Sequence, residues 1–333
     1  MVDKHMITYT PAKAAESIPV VDLAPFFSDD LEKRKAVAWE VHKASRETGF
    51  FYIKNHGIPV ERMEQHLELA RTFFDLPSEE KDKVHIRNSP CTRGYEPAAA
   101  QTLDEGSPPD LKEGFLIGND LDENHPYVKQ GVPNTGPNQW PKQPEGFKES
   151  FNEYVDLMRD LGRTLARLLA LSLELPESYF SEDDLADPLM IGRLLHYPPQ
   201  EQEIVANQLG AGAHTDWGML TMLLQDDIGG LEVLNADNDW IKAPPIEGTF
   251  VVNLGEMVRV LTNGLYRSNF HRVVNNRSGR SRYSCPTFFD PDYFYRVKCV
   301  PTCMPESGEP DFPETTVGEH IAYMYEKTYG RLA

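Results

Sequence analysis

The chain has 333 residues, 40% of them hydrophobic and 26% charged, and its 52 acidic against 33 basic residues give a formal charge of −19. This suffices for a large core in one extended domain or two smaller ones, while the acidity disfavours a nucleic-acid or anionic-membrane surface and leaves any anionic ligand to a local positive group. No apolar run reaches membrane-spanning length, the start MVDKHMITYTPAK lacks the order of a signal peptide, and Cys91, Cys285, Cys299 and Cys303 are too sparse for a disulfide framework.

The expectation is a cytoplasmic protein with a small-molecule partner and no membrane or nucleic-acid partner; the sequence does not specify its oligomeric state. Cys299 and Cys303 sit in CVPTC but lack two further partners for a metal, and read as unpaired thiols.

In chain order, residues 1 to 15 are expected to be a flexible arm, and residues 16–146 an N-terminal segment. IPVVDLAPF (18–26) reads as a short strand, and Ser28, Asp29 and Asp30 offer N-caps for a helix running to about Glu47, which Gly49 ends. FFYIKNHG (50–57) is a second strand, followed by helical PVERMEQHLELARTFFDL and PSEEKDKV. From Pro90 to Gly146 the chain is rich in Pro, Gly, Asn and Asp, and is expected to form irregular lid or rim loops.

Residues 147–333 are expected to hold a backing helix, a β core and a last helix, forming one integrated catalytic unit with what precedes. Phe147, Phe151, Tyr154, Met158, Leu161, Leu165 and Leu168 recur at steps of three or four, the stripe of a long amphipathic helix. After Pro188 come short β-patterned runs, IGRLLHY, MLTMLLQ, GLEVL, WIKA, TFVVNL, VRVL, YRSNFHRVV and RYSCPTFF, broken by turn residues, which predict a mainly β sandwich or jelly roll. VGEHIAYMYEKTY closes the chain as a helix.

The pattern His-x-acid occurs twice, and with 10 histidines and 52 acids random placement gives roughly 1.6. His66-Leu67-Glu68 lies in a helical stretch, where side chains two apart diverge. His214-Thr215-Asp216 opens the β-rich region, where i and i+2 share a face and can chelate one ion. A redox-active iron site commonly adds a second imidazole, and His271 in SNFHRVV is the candidate, although alone it reads more often as a core histidine satisfied by one hydrogen bond. Arg282-Tyr283-Ser284 is another i, i+2 pair, a guanidinium fork and a hydroxyl suited to a carboxylate, although R-x-S by itself has little specificity.

The ordered set H214-T-D216, H271 and R282-Y-S284, with the flanks LLQDDIGGLEV, VVNLGEMV and HRVVNN, resembles the iron(II) and 2-oxoglutarate-dependent dioxygenases of the isopenicillin N synthase-like group. The opening IPVVDLAPF, TGFFYIKNHGIP, FFDLP and RGYEP matches that group's N-terminal segment in order, so the resemblance covers about residues 18–330. RLLHYPP, DLKEGF and RGYEP are similar to microbial and fungal members such as thymine hydroxylase and polyketide C-methyl oxidases.

The resemblance implies a mixed α/β protein with a double-stranded β-helix (jelly-roll) core, supporting helices and an N-terminal α/β segment. It implies that His214, Asp216 and His271 ligate Fe(II), that Arg282 and Ser284 hold the distal carboxylate of 2-oxoglutarate, and that Tyr197 hydrogen-bonds this cosubstrate. O2 is the co-reactant and ascorbate a candidate reductant. Leu195 and His196 stand where Asn and Tyr are usual, and His196 is read as a packing or supporting group. The implied reaction hydroxylates or otherwise oxidises an unactivated C–H of a small, largely apolar or aromatic metabolite, releasing succinate and CO2; the carboxylate at Asp216 argues against halogenation.

Arg93, Tyr95, Phe115, Met219 and Phe288 are the expected substrate-pocket residues, with Trp140 and Trp217 as weaker candidates. The competing readings are an oxidative cyclase that does not use 2-oxoglutarate, an ethylene-forming enzyme, and a non-catalytic jelly-roll binding protein.

Overall fold

The β-branched and aromatic runs pair into two facing sheets, and the helices cover the outer face of the larger one. In the computed structural model the described residues are 9–11, 14–104, 107–200 and 208–329, the last five by backbone alone. The strands are β1 Val20–Asp22, β2 Phe50–Lys54, β3 Gly94–Glu96, β4 Glu113–Gly118, β5 Leu189–Tyr197, β6 Ala211–His214, β7 Leu220–Gln225, β8 Leu231–Leu234, β9 Trp240–Lys242, β10 Phe250–Leu254, β11 His271–Val273 and β12 Arg282–Asp290, with a small pair, β13 Arg296–Val297 and β14 Thr315–Thr316. The large sheet runs β1-β2-β10-β7-β12-β5-β4-β3 and the facing sheet β6-β11-β8-β9. Apart from the parallel β1–β2 pair, every pairing is antiparallel. This is the double-stranded β-helix expected.

The helices are α1 Leu31–Glu47, α2 Val60–Phe74, α3 Ser78–Asp82, α4 Pro126–Lys129, α5 Phe147–Ser172, α6 Glu256–Leu261 and α7 Val317–Tyr329. Asp30 caps α1 by accepting from the Glu32 amide at 3.0 Å. All seven residues of the α5 stripe are buried, each worth on the order of 1.5–3 kcal/mol in area removed from water. Gly162 of α5 lies against the Phe289 ring, where a Cβ would sit 2.3 Å away. That absence of a side chain lets the helix approach β12.

Because side chains alternate along a strand, each strand of the large sheet serves two environments. On β12 the odd residues Tyr283, Cys285 and Phe289 join the core under the helices, while the even residues Arg282, Ser284, Pro286 and Phe288 line the space between the sheets. On β5, Arg193, Leu195 and Tyr197 face the same space.

Two expectations are corrected. VRVL is the end of α6, not a strand: its residues alternate like a strand, but Gly255 precedes them as an extended N-cap, and the Glu256 and Met257 amides donate to the Asp216 and Gly218 carbonyls. The 90–146 segment is not all loop, since β3 and β4 within it extend the large sheet. Of the expected arm, Tyr9 donates to Glu47 at 2.6 Å and packs edge-on against Trp39, while residues 1–8 and 12–13 lie outside the described residues. All four cysteines are free thiols, and no helix among the described residues is long and apolar enough to cross a membrane.

Candidate active site

His214 ends β6 and His271 begins β11, and antiparallel pairing sets them directly opposite each other. Their rings lie 4.3 Å apart, centroid to centroid. Asp216 follows two residues after His214, with Oδ1 3.9 Å from His214 Nε2 and 3.7 Å from His271 Nε2. The three side chains thus present one ligand atom each within 4.8 Å of one another.

The remaining atoms of the three are held by the backbone and by neighbours. His214 Nδ1 bonds the Gly212 carbonyl at 2.8 Å and His271 Nδ1 the Asn269 carbonyl at 3.3 Å, which places the ring protons on Nδ1 and turns both Nε2 lone pairs inward. Asp216 Oδ2 accepts from Thr221 Oγ1 at 2.5 Å and Asn253 Nδ2 at 2.7 Å, leaving Oδ1 for the centre. Burial, then the neighbouring His271, pushes His214 down to about 3. Burial raises Asp216, but the two histidines and its two hydrogen bonds outweigh it and hold it below the usual carboxylate range. Two imidazoles and a carboxylate converging with open positions are the donor set that suits ferrous iron.

A cavity of about 80 Å³ runs from these residues to Arg282, Ser284, Tyr197 and Lys112. Arg282 is 1% exposed. It donates to Ser284 Oγ and Gln225 Oε1, each at 3.3 Å, and its guanidinium lies 4.7 Å over the Tyr197 ring. Its Nε has no hydrogen-bond partner, and among the described residues no acid forms an ion pair with it. A buried guanidinium without a counter-ion is costly by several kcal/mol, so the cavity is suited to a carboxylate ligand. Lys112, 5% exposed, also lines this cavity, its ammonium already paired with Asp110 at 2.5 Å.

A second cavity of about 100 Å³ meets the first at His214 and Asp216 and opens outward between Leu103, Leu116, Ile191, Trp217, Phe288 and Ile321. Of the five principal residues expected to line it, only Phe288 does. Arg93 is buried in its own loop, donating to the Cys91, Thr92 and Asn134 carbonyls. Tyr95 and Phe115 are the odd residues of β3 and β4 and point under the helices, Tyr95 donating to Glu113 and Phe115 packing on Phe73 and Phe147. Met219 is fully buried in the main core. Trp217 lines the cavity, while Trp140 packs on Phe147 and Phe151 away from it.

His196 is also on the helix side of β5, bonded to Glu113 at 2.7 Å and Ser281 at 2.9 Å and stacked on Tyr283; this is the packing role expected of it. Sequence reasoning missed Lys112, Leu116, Ile191, Arg193 and Asp290. Alternation outward from Tyr197 on β5 and from Ser284 on β12 picks out Arg193, Ile191 and Asp290.

Residues 18–143 match the family model described as non-haem dioxygenase in morphine synthesis N-terminal, and residues 187–291 match that of the 2OG-Fe(II) oxygenase superfamily. A 2-oxoglutarate-Fe(II) type oxidoreductase of Emericella nidulans is 38% identical over 94% of this chain and 90% of its own length. A 1-aminocyclopropane-1-carboxylate oxidase of Dictyostelium mucoroides is 34% identical, over 95% and 93%. A full-length Neurospora crassa protein, crystallised in complex with alpha-KG and thymine, superimposes with a TM-score of 0.82 at 27% identity, covering 96% of this chain and 99% of that one.

Proposed function

The chain belongs to the 2OG-Fe(II) oxygenase superfamily and is an iron(II)- and 2-oxoglutarate-dependent dioxygenase, and from that premise we propose that it oxidises an unactivated C–H of a small, largely apolar or aromatic metabolite. In this reading His214 and His271 hold the iron through Nε2 and Asp216 through Oδ1. With 2-oxoglutarate and O2, the bound iron supplies the oxidation that removes hydrogen from carbon while 2-oxoglutarate becomes succinate and CO2.

The residues around it do the positioning. Arg282 and Ser284 take the distal carboxylate of 2-oxoglutarate, and Tyr197 holds the guanidinium plane from below. Asn253 and Thr221 keep Asp216 turned toward the iron. Phe288, Ile191, Leu116 and Trp217 exclude water from the outer cavity and place the target carbon near the metal.

One observation carries this reading: the two cavities meet at His214 and Asp216, one ending on an unpaired buried arginine and the other mainly apolar. The likeness to an aminocyclopropanecarboxylate oxidase keeps a 2-oxoglutarate-independent oxidase in view, and succinate formation separates the two. The test is a screen of lipophilic metabolites and nucleobases, the latter because the similar Neurospora crassa protein was crystallised with thymine, for substrate-stimulated succinate release with added Fe(II). Succinate formed in step with oxidised product is expected. Product without succinate would overturn the cosubstrate assignment.

A further inference from the structure

Asp290 ends the inward row of β12, beyond Phe288, and lines the outer cavity. It is 2% exposed. Its Oδ1 accepts the Met219 amide at 2.5 Å, and Gly218 leaves it room, since a Cβ there would lie 2.2 Å from Oδ1. Among the described residues its Oδ2 has no hydrogen-bond partner. That oxygen is not one of the fully enclosed unpartnered atoms, so it faces the open space of the cavity.

Holding the Met219 amide does not require a carboxylate, because one carbonyl oxygen would suffice. Burial pushes Asp290 up to about 7, so a full carboxylate is a costly choice at a position where an amide would serve the fold as well. The second oxygen is the part that needs a purpose, and it belongs to a residue lining the cavity beside Phe288, Trp217 and Ile191.

Resting on the reading of this cavity as the substrate site, we propose that Asp290 is a substrate-recognition residue whose Oδ2 accepts a hydrogen bond from an N–H or O–H group of the substrate. The substrate is then a compact, mainly apolar molecule carrying at least one such donor, held at one end by Asp290 and flanked by Phe288. Arg193, opposite the same strand and four residues along β5 from Asp290's partner Leu189, lies some 13 Å away along the sheet at about 3.3 Å per residue. Arg193 and Asp290 both line this cavity from neighbouring strands.

The substitution Asp290→Asn gives a sharp test, because the Met219 amide will keep the carbonyl oxygen and turn Nδ2, a donor, toward the cavity. The anaerobic Fe(II)–2-oxoglutarate complex is formed at pH 8 for wild type and variant, and its visible charge-transfer band verifies that metal and cosubstrate bind alike. Ligand-observed NMR then ranks two shape-matched pairs, indole against indene and isoquinoline against naphthalene. Wild type is expected to bind indole about tenfold tighter than indene. Asp290→Asn is expected to lose that preference and to acquire one for isoquinoline over naphthalene. Failure of wild type to prefer indole, or an unchanged preference in the variant, overturns the proposal. Absence of the band in wild type overturns the underlying iron and cosubstrate assignment, and the proposal with it.

Discussion

In α2, His66 lies flat against Tyr154, with ring centroids 3.5 Å apart, while Glu68, two residues on, is 67% exposed and pairs with Arg71. At the end of β6, His214 and Asp216 have the same spacing but converge, Nε2 to Oδ1 at 3.9 Å, on a histidine from another strand. The difference lies in the backbone: two residues on a helix turn the side chain by about 200°, whereas two residues along extended chain return it to the same side. A ligand motif therefore has meaning only with the period of the element that carries it.

The largest expected effect separates these two regions directly. His214→Ala or Asp216→Ala reduces Fe(II)-dependent turnover to background and abolishes tight iron binding, with the circular dichroism spectrum of a folded protein retained. His66→Ala leaves iron binding intact, as measured by metal titration. Full activity in either ligand variant would remove that residue from the metal site.

The same alternation divides the two phenylalanines first expected in the substrate pocket. Phe115→Ala, under the helices, is expected to cost about 3–5 kcal/mol of stability, read as a lower denaturation midpoint, with substrate KM unchanged at low temperature. Phe288→Ala is expected to do the reverse, raising substrate KM with a smaller stability loss. Equal effects on KM would place Phe115 back at the cavity.

This contrast also marks how far the sequence could be read. The periods of α5 and of the strands, the metal triad and the Arg282–Ser284 pair were legible because each has a spacing that a regular element turns into a direction. Phe115 and Tyr95 were misassigned because residue type was weighed without strand parity. Their neighbours Leu116 on β4 and Glu96 on β3 take the inward side, Leu116 lining the cavity and Glu96 pairing with the cavity residue Arg193. β3 and β4 themselves were hidden by proline and glycine flanks, and VRVL by an alternation that a six-residue helix overrode through its bonds to the Asp216 and Gly218 carbonyls. Asp290 was illegible as a site because nothing local shows that its second oxygen lacks a partner.

Next in size is the cosubstrate anchor. Arg282→Ala removes a charged hydrogen-bonding fork worth on the order of 2 kcal/mol, roughly a thirtyfold rise in the KM for 2-oxoglutarate. Stability is expected to hold or rise, since the guanidinium is buried without an acid partner. An unchanged KM would contradict the assignment.

The smallest effect returns to His66. Burial holds it neutral, pushed down to about 3, and its Nδ1 has no hydrogen-bond partner. Above pH 6.5 the ring is neutral in both folded and unfolded chains and adds no pH dependence. Between pH 6.5 and 3 the unfolded chain binds a proton that the folded one refuses, so stability falls as pH falls, by about 1.4 kcal/mol per pH unit for this one group. His66→Phe keeps a ring against Tyr154 and removes the proton site. In iron-loaded protein, where His214 is held by the metal, the variant is expected to gain about 2 kcal/mol relative to wild type between pH 6.5 and pH 5. Urea unfolding at the two pH values measures it. Parallel pH dependence in the two proteins would show that His66 is protonated, and so not sealed, in the folded state.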